Sequence, residues 1–294
     1  MSSPRIGIIG GTGLGQAFAE QARSKEITAQ TPFGSPSGPI FTARWEGVEI
    51  AFISRHGPGH LLNPSKVPYR ANIYALKQLG VTHIVASGAT GSLREEIEPR
   101  HLVICDQVID RTTKRESTFF DEGLVGHVEF AEPFCPILRS LLIEAGKQVD
   151  AVVHSAGTYV CMEGPQLSTV AESKMHQAWG GDLIGMTCLP EAKLAREAEI
   201  CYALIALPTD YDCWRPHDPA KDRQALLTEI LGHLQIATDN AIKLLRIGLP
   251  KLARQLDKPC SCREALALGI WSDKSCVDAA VVDRLRPIVG RYFD

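Results

Sequence analysis

Long hydrophobic runs, internal repeats and low-complexity segments are all missing from this chain of 294 residues. No apolar run is long enough to span a bilayer. The first residues, Met1 to Arg5, lead into a strand pattern without the hydrophobic region of a signal peptide. No linker-like change of composition divides the chain. We therefore expect one domain over residues 1–294, in a cytoplasmic protein with no membrane partner.

An excess of charge of one sign is also missing. Lys and Arg total 31 and Asp and Glu total 34, so the net charge is only −3 and no strong field favours nucleic acid as a partner. The nine cysteines are scattered and odd in number, and no two Cys-x-x-Cys pairs exist to form a zinc site. Cys260-Ser261-Cys262 is too tight for the usual zinc spacing, which leaves a strained disulfide or two unpaired thiols. No metal is expected.

The glycine-rich segment near the N-terminus lacks the pattern of a dinucleotide site. Ile6 to Ile9 predicts a strand, and Gly10 to Gly15 follows it, but position 16 is Gln and no Gly-Lys-Ser/Thr comes after. An NAD-dependent oxidoreductase is therefore disfavoured. Two interpretations remain: a tight loop whose N–H groups and Thr12 hydroxyl hold a small anion, or a plain strand-to-helix turn.

The most informative stretch that is present runs from residue 200 to residue 214. Cys201 to Leu207 is a continuous apolar run, typical of a strand buried on both faces, and Thr209, Asp210 and Asp212 follow it directly. The carboxyl ends of buried strands are where open α/β sheets bind ligands. If the segment stays extended, both carboxylates point the same way. A solvated Asp-rich turn is the alternative.

Other predicted strands also end in residues suited to a ligand. Arg55 and His56 follow a strand that ends at Ile53, and a Gly/Pro turn comes next, so a phosphate could meet a cationic wall there. Residues 82–87 predict a buried strand that ends in the small residues 88–92. Further strands are expected at 102–109, 149–154 and 157–162, and helices at 67–79, 133–145, 171–179, 190–199 and 225–247. This alternation predicts one α/β domain around a mixed sheet.

Seven short motifs occur in order between Ile6 and about Leu245. They are Gly10-Gly11-Thr12-Gly13, Ser54-Arg55-His56-Gly57, Gly91-Ser92-Leu93-Arg94-Glu95-Glu96, Ala131-Glu132-Pro133-Phe134-Cys135, Glu163-Gly164-Pro165, Met186-Thr187 and Thr209-Asp210-Tyr211-Asp212-Cys213-Trp214. In this combination the chain resembles the purine nucleoside phosphorylase superfamily, and within it the 5′-methylthioadenosine phosphorylases. The resemblance implies a mixed central β-sheet flanked by helices, with residues from about 250 to 294 as a helical extension.

The resemblance also implies roles for individual residues. The positions that match phosphate ligands of the family are Thr12, Arg55, His56, Ala89 and Thr187. Relatives often have Thr where this chain has Gly88, so Ser87 or a water would replace that hydroxyl. Met186 falls beneath the ribose. Ser168, Asp210 and Asp212 fall around the purine, with Thr209 beside them and Leu167 in place of a common Phe. Members that use 6-oxopurines tend to carry Glu and Asn where Ser168 and Asp210 stand here.

The expected reaction is phosphorolysis of S-methyl-5′-thioadenosine to adenine and 5-methylthioribose 1-phosphate, in methionine and purine salvage. Asp210 would donate a proton or hydrogen bond to purine N7, and Asp212 would accept from the N6 amine. Inorganic phosphate is then a co-substrate and no cofactor is needed. The main alternative is a phosphorylase of broader specificity acting on adenosine, inosine or methylthioinosine. A hydrolytic nucleosidase and a non-catalytic binding protein are further alternatives.

The 5′ pocket and the assembly are expected from the same resemblance. Apolar Leu227 and Ile230, on the helix after Trp214, could face a methylthio group. His127 matches a segment that reaches into the adjacent subunit's 5′ pocket, which implies a homotrimer or a dimer of trimers. The Cys260-x-Cys262 pair resembles a C-terminal feature of thermophilic members that contain disulfides. It could pair with itself, pair with another cysteine such as Cys201, or stay reduced.

Overall fold

The computed structural model describes residues 5–11, 14, 25–216 and 221–294. Thr12, an expected phosphate ligand, lies outside the described residues. Eleven strands are present in the described part: β1 (Ile6–Gly10), β2 (Lys25–Ile27), β3 (Ile40–Trp45), β4 (Val48–Ser54), β5 (His83–Ser92), β6 (Leu102–Ile104), β7 (Gln107–Arg111), β8 (Val153–His154), β9 (Thr158–Met162), β10 (Leu183–Gly185) and β11 (Cys201–Asp210).

Seven α-helices are described over the same ranges. They are α1 (Tyr69–Gln78), α2 (Pro136–Gly146), α3 (Val170–Ala178), α4 (Glu191–Glu197), α5 (Arg223–Ala253), α6 (Ala279–Arg284) and α7 (Arg286–Val289). Short 3-10 turns lie at Pro58–His60, Ser261–Glu264, Lys274–Cys276 and Gly290–Tyr292. Among the described helices, none combines the length and the apolar character that crossing a membrane requires.

The strands form one mixed sheet with β5 at its centre. β5 pairs in parallel with β1 on one side and with β11 on the other, and near its end it pairs antiparallel with β10. β11 is buried at every position from Cys201 to Thr209, as its continuous apolar run predicts. Hydrophobic clusters cover both faces of this centre, and α5 packs against β11 and α2. The expected mixed sheet flanked by helices is confirmed.

Two boundaries in the sheet differ from the sequence prediction. The strand predicted for residues 82–87 extends as β5 through the small residues 88–92, because β11 and β10 supply hydrogen-bonding neighbours along that length. The predicted strand 102–109 is two strands, β6 and β7, which pair with different partners: β6 with β11 and β8, and β7 with β9. In both cases the strand's length was decided by its neighbours, which a local pattern does not contain.

The C-terminal segment packs against the same core as the sheet. Val282, Leu285, Ile288 and Val289 are buried in the hydrophobic cluster that includes α1 and part of β11. Glu199 accepts a hydrogen bond from the backbone N–H of Leu266 at 2.9 Å, which joins this segment to the loop before β11. The helices after residue 253 are short, in keeping with the expected helical extension.

Candidate active site

The end of β11 turns sharply between the two expected purine ligands. A register shift lies between Pro208 and Asp210, and Asp212 has a left-handed backbone with φ of 49°. One carboxylate oxygen of Asp210 accepts the backbone N–H of Asp212 at 2.9 Å, and the other accepts the Thr209 hydroxyl at 2.8 Å. The assumption of an extended segment was therefore wrong. An Asx-type turn, which Asp tolerates at positive φ, brings the carboxylates to the same cavity.

The carboxylate of Asp212 has one buried oxygen without a protein partner. Among the described residues, no donor reaches its Oδ2. Asp212 packs against Gly91 of β5. A Cβ built on Gly91 would lie 3.1 Å from the Asp212 Cβ, so the Asp212 side chain contacts backbone there. A buried acceptor left without a donor costs about 1–3 kcal/mol. This oxygen is therefore suited to a hydrogen-bond donor on a ligand.

Arg55 is held by a carboxylate that the sequence analysis did not single out. Its Nε and Nη2 donate to the two oxygens of Glu191, each at 2.7 Å, and its Nη1 donates to the carbonyl of Ser87 at 2.8 Å. Arg55 is fully buried. The Tyr202 hydroxyl donates to Glu191 at 2.8 Å, completing the support. These bonds use three of the five guanidinium N–H groups and leave two for a ligand.

Backbone and a hydroxyl lie around the side of the buried Arg55 guanidinium that faces the cavity. A Cβ built on Gly11 would lie 3.5 Å from its Nη1, and one built on Gly88 would lie 3.9 Å from Nη1 and 3.3 Å from the Thr187 hydroxyl. The absence of side chains at both glycines therefore leaves a small recess lined by backbone, a hydroxyl and a permanent positive charge. Such a recess suits a tetrahedral oxyanion.

His56 is neutral in this environment. Burial, with the adjacent charge of Arg55, lowers its pKa from 6.5 to about 4. Its Nδ1 lies 2.8 Å from the carbonyl of Leu62, so that nitrogen carries the proton and Nε2 is an acceptor. The His56 ring stacks on His60 with centroids 4.2 Å apart. The predicted cationic wall is thus a cation, Arg55, beside a neutral imidazole that can accept a hydrogen bond from a ligand.

A second buried arginine supports the floor of the site. Arg115 Nη1 donates to the carbonyls of Met186 at 2.5 Å and Leu189 at 2.6 Å, and its Nε donates to Glu163 at 3.1 Å. Although partial burial acts in the opposite direction, hydrogen bonds from Ser65, the Thr113 and Lys114 N–H groups and Arg115 lower the pKa of Glu163 to about 2. Arg115, paired with Glu163, therefore holds the segment that carries Met186 in position.

These groups line one cavity of about 340 Å³. That volume lies in the usual range for small-molecule sites, about 300–1,000 Å³. The residues predicted from the sequence that line it are Arg55, His56, Gly88, Ala89, Leu167, Ser168, Met186, Thr187, Thr209, Asp210, Asp212 and Ile230. Arg55 and Thr187 lie in the recess described above. Asp210 is the last residue of β11, and Asp212 lies in the turn that follows. The sheet thus brings two chemically different groups to one cavity.

Three predicted residues do not line the cavity. The Ser87 hydroxyl is buried and has no partner among the described residues, while its carbonyl supports Arg55. Leu227 is half exposed. His127 is exposed, with its ring 4.8 Å from that of Trp271. Their proposed roles stay predictions.

A second cavity, of about 520 Å³, adjoins the first and shares Thr209, Asp210, Asp212 and Ile230 with it. Leu226, Ile230 and His233 of α5 line it, whereas Leu227 does not. Positions 226, 230 and 233 are four and three residues apart and share one helix face, from which 227 is rotated. Of the two predicted residues on this helix, Ile230 therefore faces the site and Leu227 does not.

Comparison with known proteins identifies the family to which this chain belongs. The sequence profile described as Phosphorylase superfamily matches residues 5–247. The chain belongs to this superfamily. It is 46% identical to the S-methyl-5′-thioadenosine phosphorylase of Gloeobacter violaceus, over 99% of this chain and 98% of the relative. It is also 46% identical to the enzyme of that name from Pyrococcus horikoshii, over 90% of this chain and 98% of the relative.

Solved structures of phosphorylases agree with the described fold. A methylthioadenosine phosphorylase from an Antarctic soil metagenomic library superposes with a TM-score of 0.89 at 42% identity, covering 98% of this chain and 99% of that chain. The methylthioadenosine phosphorylase of Schistosoma mansoni in complex with adenine superposes with a TM-score of 0.80 at 33% identity, covering 91% of this chain and 99% of that chain.

Several residues of this phosphorylase site were missed from the sequence. Glu191 and Arg115 support ligand-facing groups, and Thr90 lines the cavity with a buried hydroxyl that has no partner among the described residues. Glu191 had only a weak signal, as an acidic residue at the start of the helix that follows Met186-Thr187. Its partner Arg55 lies 136 residues away in the chain, so no local pattern could join them.

Proposed function

We propose that this phosphorylase cleaves the N-glycosidic bond of S-methyl-5′-thioadenosine with inorganic phosphate, releasing adenine and 5-methylthioribose 1-phosphate. One observation carries the proposal. An oxyanion recess at Arg55 and Thr187 opens into the same cavity as the unpartnered carboxylate oxygen of Asp212. Such a cavity accepts a phosphate at one end and an amino-bearing base at the other. The high identity to enzymes of that name over nearly the whole chain supports the substrate.

The phosphate end supplies the nucleophile and its orientation. The two free N–H groups of Arg55, the Thr187 hydroxyl and the backbone at Gly11 and Gly88 bind the anion. Neutral His56 accepts a hydrogen bond at Nε2 from the protonated oxygen of the phosphate, which leaves the unprotonated oxygens to attack the ribose. As the glycosidic bond breaks, positive charge grows on the ribose above the phosphate, and the anion stabilises it.

The base end receives the leaving group. Negative charge develops on the departing purine, and a proton or hydrogen bond from the Asp210 carboxyl to N7 disperses it. The Asp212 Oδ2 accepts from the N6 amine of adenine. A 6-oxopurine would place a carbonyl oxygen against that carboxylate, and sites built to hydrogen-bond a substrate group reject analogues that lack it. The cavity therefore favours 6-aminopurines over inosine.

A direct assay tests this function. Purified protein is given methylthioadenosine, adenosine or inosine, each with and without phosphate, and base release is followed by chromatography. We expect adenine from methylthioadenosine only when phosphate is present, with 5-methylthioribose 1-phosphate in equal amount and little release from inosine. Equal turnover without phosphate would identify a hydrolase instead.

The cytoplasmic location stays a prediction from the sequence.

We propose a homotrimer in which His127 completes the neighbouring subunit's site. His127 lies outside the cavity of its own subunit, on a surface where Val125 and Trp271 are exposed and hydrogen-bonded through their backbones at 3.0 Å. Exposed apolar side chains beside one another are typical of a surface that another subunit covers. The same surface in three copies would close a ring.

Complementation between inactive subunits tests the shared site. His127→Ala and Asp210→Asn subunits, co-expressed with different tags and purified as mixed trimers, should regain about a third of the parent activity, because one of the three sites in each mixed ring then has an intact residue from each of two subunits. Arg55→Lys mixed with Asp210→Asn is the matched control and should regain none, since both residues serve the same subunit's cavity. Restoration in neither mixture would remove the intersubunit role.

A further inference from the structure

Four cysteines far apart in the sequence converge in the hydrophobic core. The sulfur atoms of Cys135, Cys201, Cys260 and Cys262 all lie within 4.8 Å of one another, and Cys135 Sγ is 3.6 Å from Cys260 Sγ. Three of the four side chains are at most 2% exposed. Four thiolates at 2.3 Å around a tetrahedral zinc ion are separated by about 3.8 Å. The sulfur arrangement is close to that geometry.

Separate elements deliver the four side chains. Cys201 is the first residue of β11, and Cys135 directly precedes α2, its N–H donating to the Tyr202 carbonyl at 2.8 Å. Cys262 lies in the Ser261–Glu264 turn and Cys260 directly precedes it, both beyond the region matched by the superfamily profile, residues 5–247. The cluster thus joins the C-terminal extension to the sheet and to α2.

We propose that Cys135, Cys201, Cys260 and Cys262 form a structural zinc site. Soft thiolate ligands in a tetrahedral set select zinc among the common divalent ions, and four protein ligands leave no open position for chemistry. On binding, each thiol releases its proton to solvent and one Zn²⁺ receives four sulfur lone pairs, so no electron is transferred. The tight Cys-x-Cys spacing does not prevent this, because the other two ligands come from elsewhere in the chain.

The site is remote from the cavity. Cys201 and Asp210 are the first and last residues of β11, and a strand of that length spans about 30 Å at 3.3 Å per residue. The metal would therefore hold the extension in place and take no part in glycosidic cleavage. This role is separate from the proposed function, and either can fail without the other.

Metal content tests the site. The full chain is purified anaerobically from zinc-supplemented cells, and bound metal is measured by mass spectrometry. We expect one zinc ion per chain in the parent and in Cys276→Ser, whose exposed thiol lies outside the cluster. Cys260→Ser and Cys262→Ser should lose at least about ten-fold in bound zinc, because three thiolates and a hydroxyl bind zinc poorly.

Spectroscopy on the parent keeps the proposal testable if those variants fail to fold. Zinc-edge X-ray absorption should give four sulfur neighbours at about 2.3 Å. Nitrogen or oxygen neighbours, or equal zinc loss in Cys276→Ser and Cys260→Ser, would overturn the assignment. So would a metal-free parent in which non-reducing peptide mapping finds disulfides among the four cysteines.

Discussion

Arg55 and Glu191 form a bidentate ion pair with both N···O distances at 2.7 Å, and neither side chain is more than 1% exposed. Burial by itself would lower the pKa of Arg55, but the Glu191 carboxylate outweighs burial and raises it. Glu191 therefore fixes the orientation of the guanidinium and the direction of its two remaining N–H groups, without lining the cavity itself. It is a positioning residue for the proposed phosphate ligand.

Glu191→Gln should weaken phosphate binding and destabilise the fold. Removing one partner of a buried ion pair leaves the other charge uncompensated, which typically costs about 3–5 kcal/mol. We expect a lower thermal midpoint and a higher KM for phosphate, with added phosphate partly restoring the midpoint because the anion replaces the lost charge.

Scanning calorimetry with and without phosphate measures both effects. Glu132→Gln, at an exposed position, is the matched control and should leave midpoint and KM unchanged. A variant that loses stability but keeps the parent's KM for phosphate would show that Glu191 serves only the fold.

Asp212→Asn should relax the choice of base. In the variant, either the amide oxygen or the amide NH2 group of Asn takes the place of the unpartnered Oδ2. The NH2 group can donate a hydrogen bond to the O6 of an oxopurine. We expect kcat/KM for methylthioadenosine to fall by about 10²-fold, since losing a buried hydrogen bond to a polar group costs about 1–3 kcal/mol. The ratio of inosine to methylthioadenosine turnover should rise. An unchanged ratio would mean that Asp212 does not contact the six-position of the base.

Asp210→Asn should affect the chemical step more than binding. An amide cannot supply a proton to N7, and general acid catalysis is typically worth about 10²–10⁴-fold. We expect kcat for methylthioadenosine to fall within that range with little change in KM, and preference to shift away from adenine. Single-turnover kinetics separates cleavage from product release. Parent-like cleavage by this variant would contradict the role given to Asp210.

His56 should titrate far below an ordinary histidine. With its pKa lowered from 6.5 to about 4, the folded protein keeps His56 neutral at a pH where the unfolded chain protonates it. Its contribution to stability is therefore complete above about pH 6.5 and is lost as the pH falls toward 4. Nitrogen chemical shifts of the ring, assigned with His56→Gln, report this pKa. Because a bound anion favours imidazolium, saturating phosphate should raise it.

Ile230 should contribute to recognition of the methylthio group, and Leu227 should not. Ile230 lines both cavities, whereas Leu227 is half exposed and lines neither. Ile230→Ser should lower kcat/KM for methylthioadenosine relative to adenosine by about 10-fold or more, in line with 1–3 kcal/mol for a small apolar group in a pocket. Leu227→Ser is the matched control. An equal effect of both substitutions on the substrate ratio would place the 5′ group elsewhere.

The sequence by itself was sufficient for the fold class, for the superfamily and for most residues lining the cavity. Continuous apolar runs such as Cys201 to Leu207 encode strands buried on both faces, and Arg55, Met186 and Thr187 directly follow β4 and β10 in the chain. Those relationships are local, so spacing and residue type express them.

Tertiary structure alone decided the relationships between distant segments. The turn at Asp212 depends on a hydrogen bond to Asp210 and on bare backbone at Gly91. The support of Arg55 by Glu191 joins residues 136 positions apart, and the four-cysteine cluster joins two core elements to the C-terminal extension. Folding brings these groups within a few ångströms because the sheet must bury its faces. The spacing of residues along the chain does not show which distant segments will then be in contact.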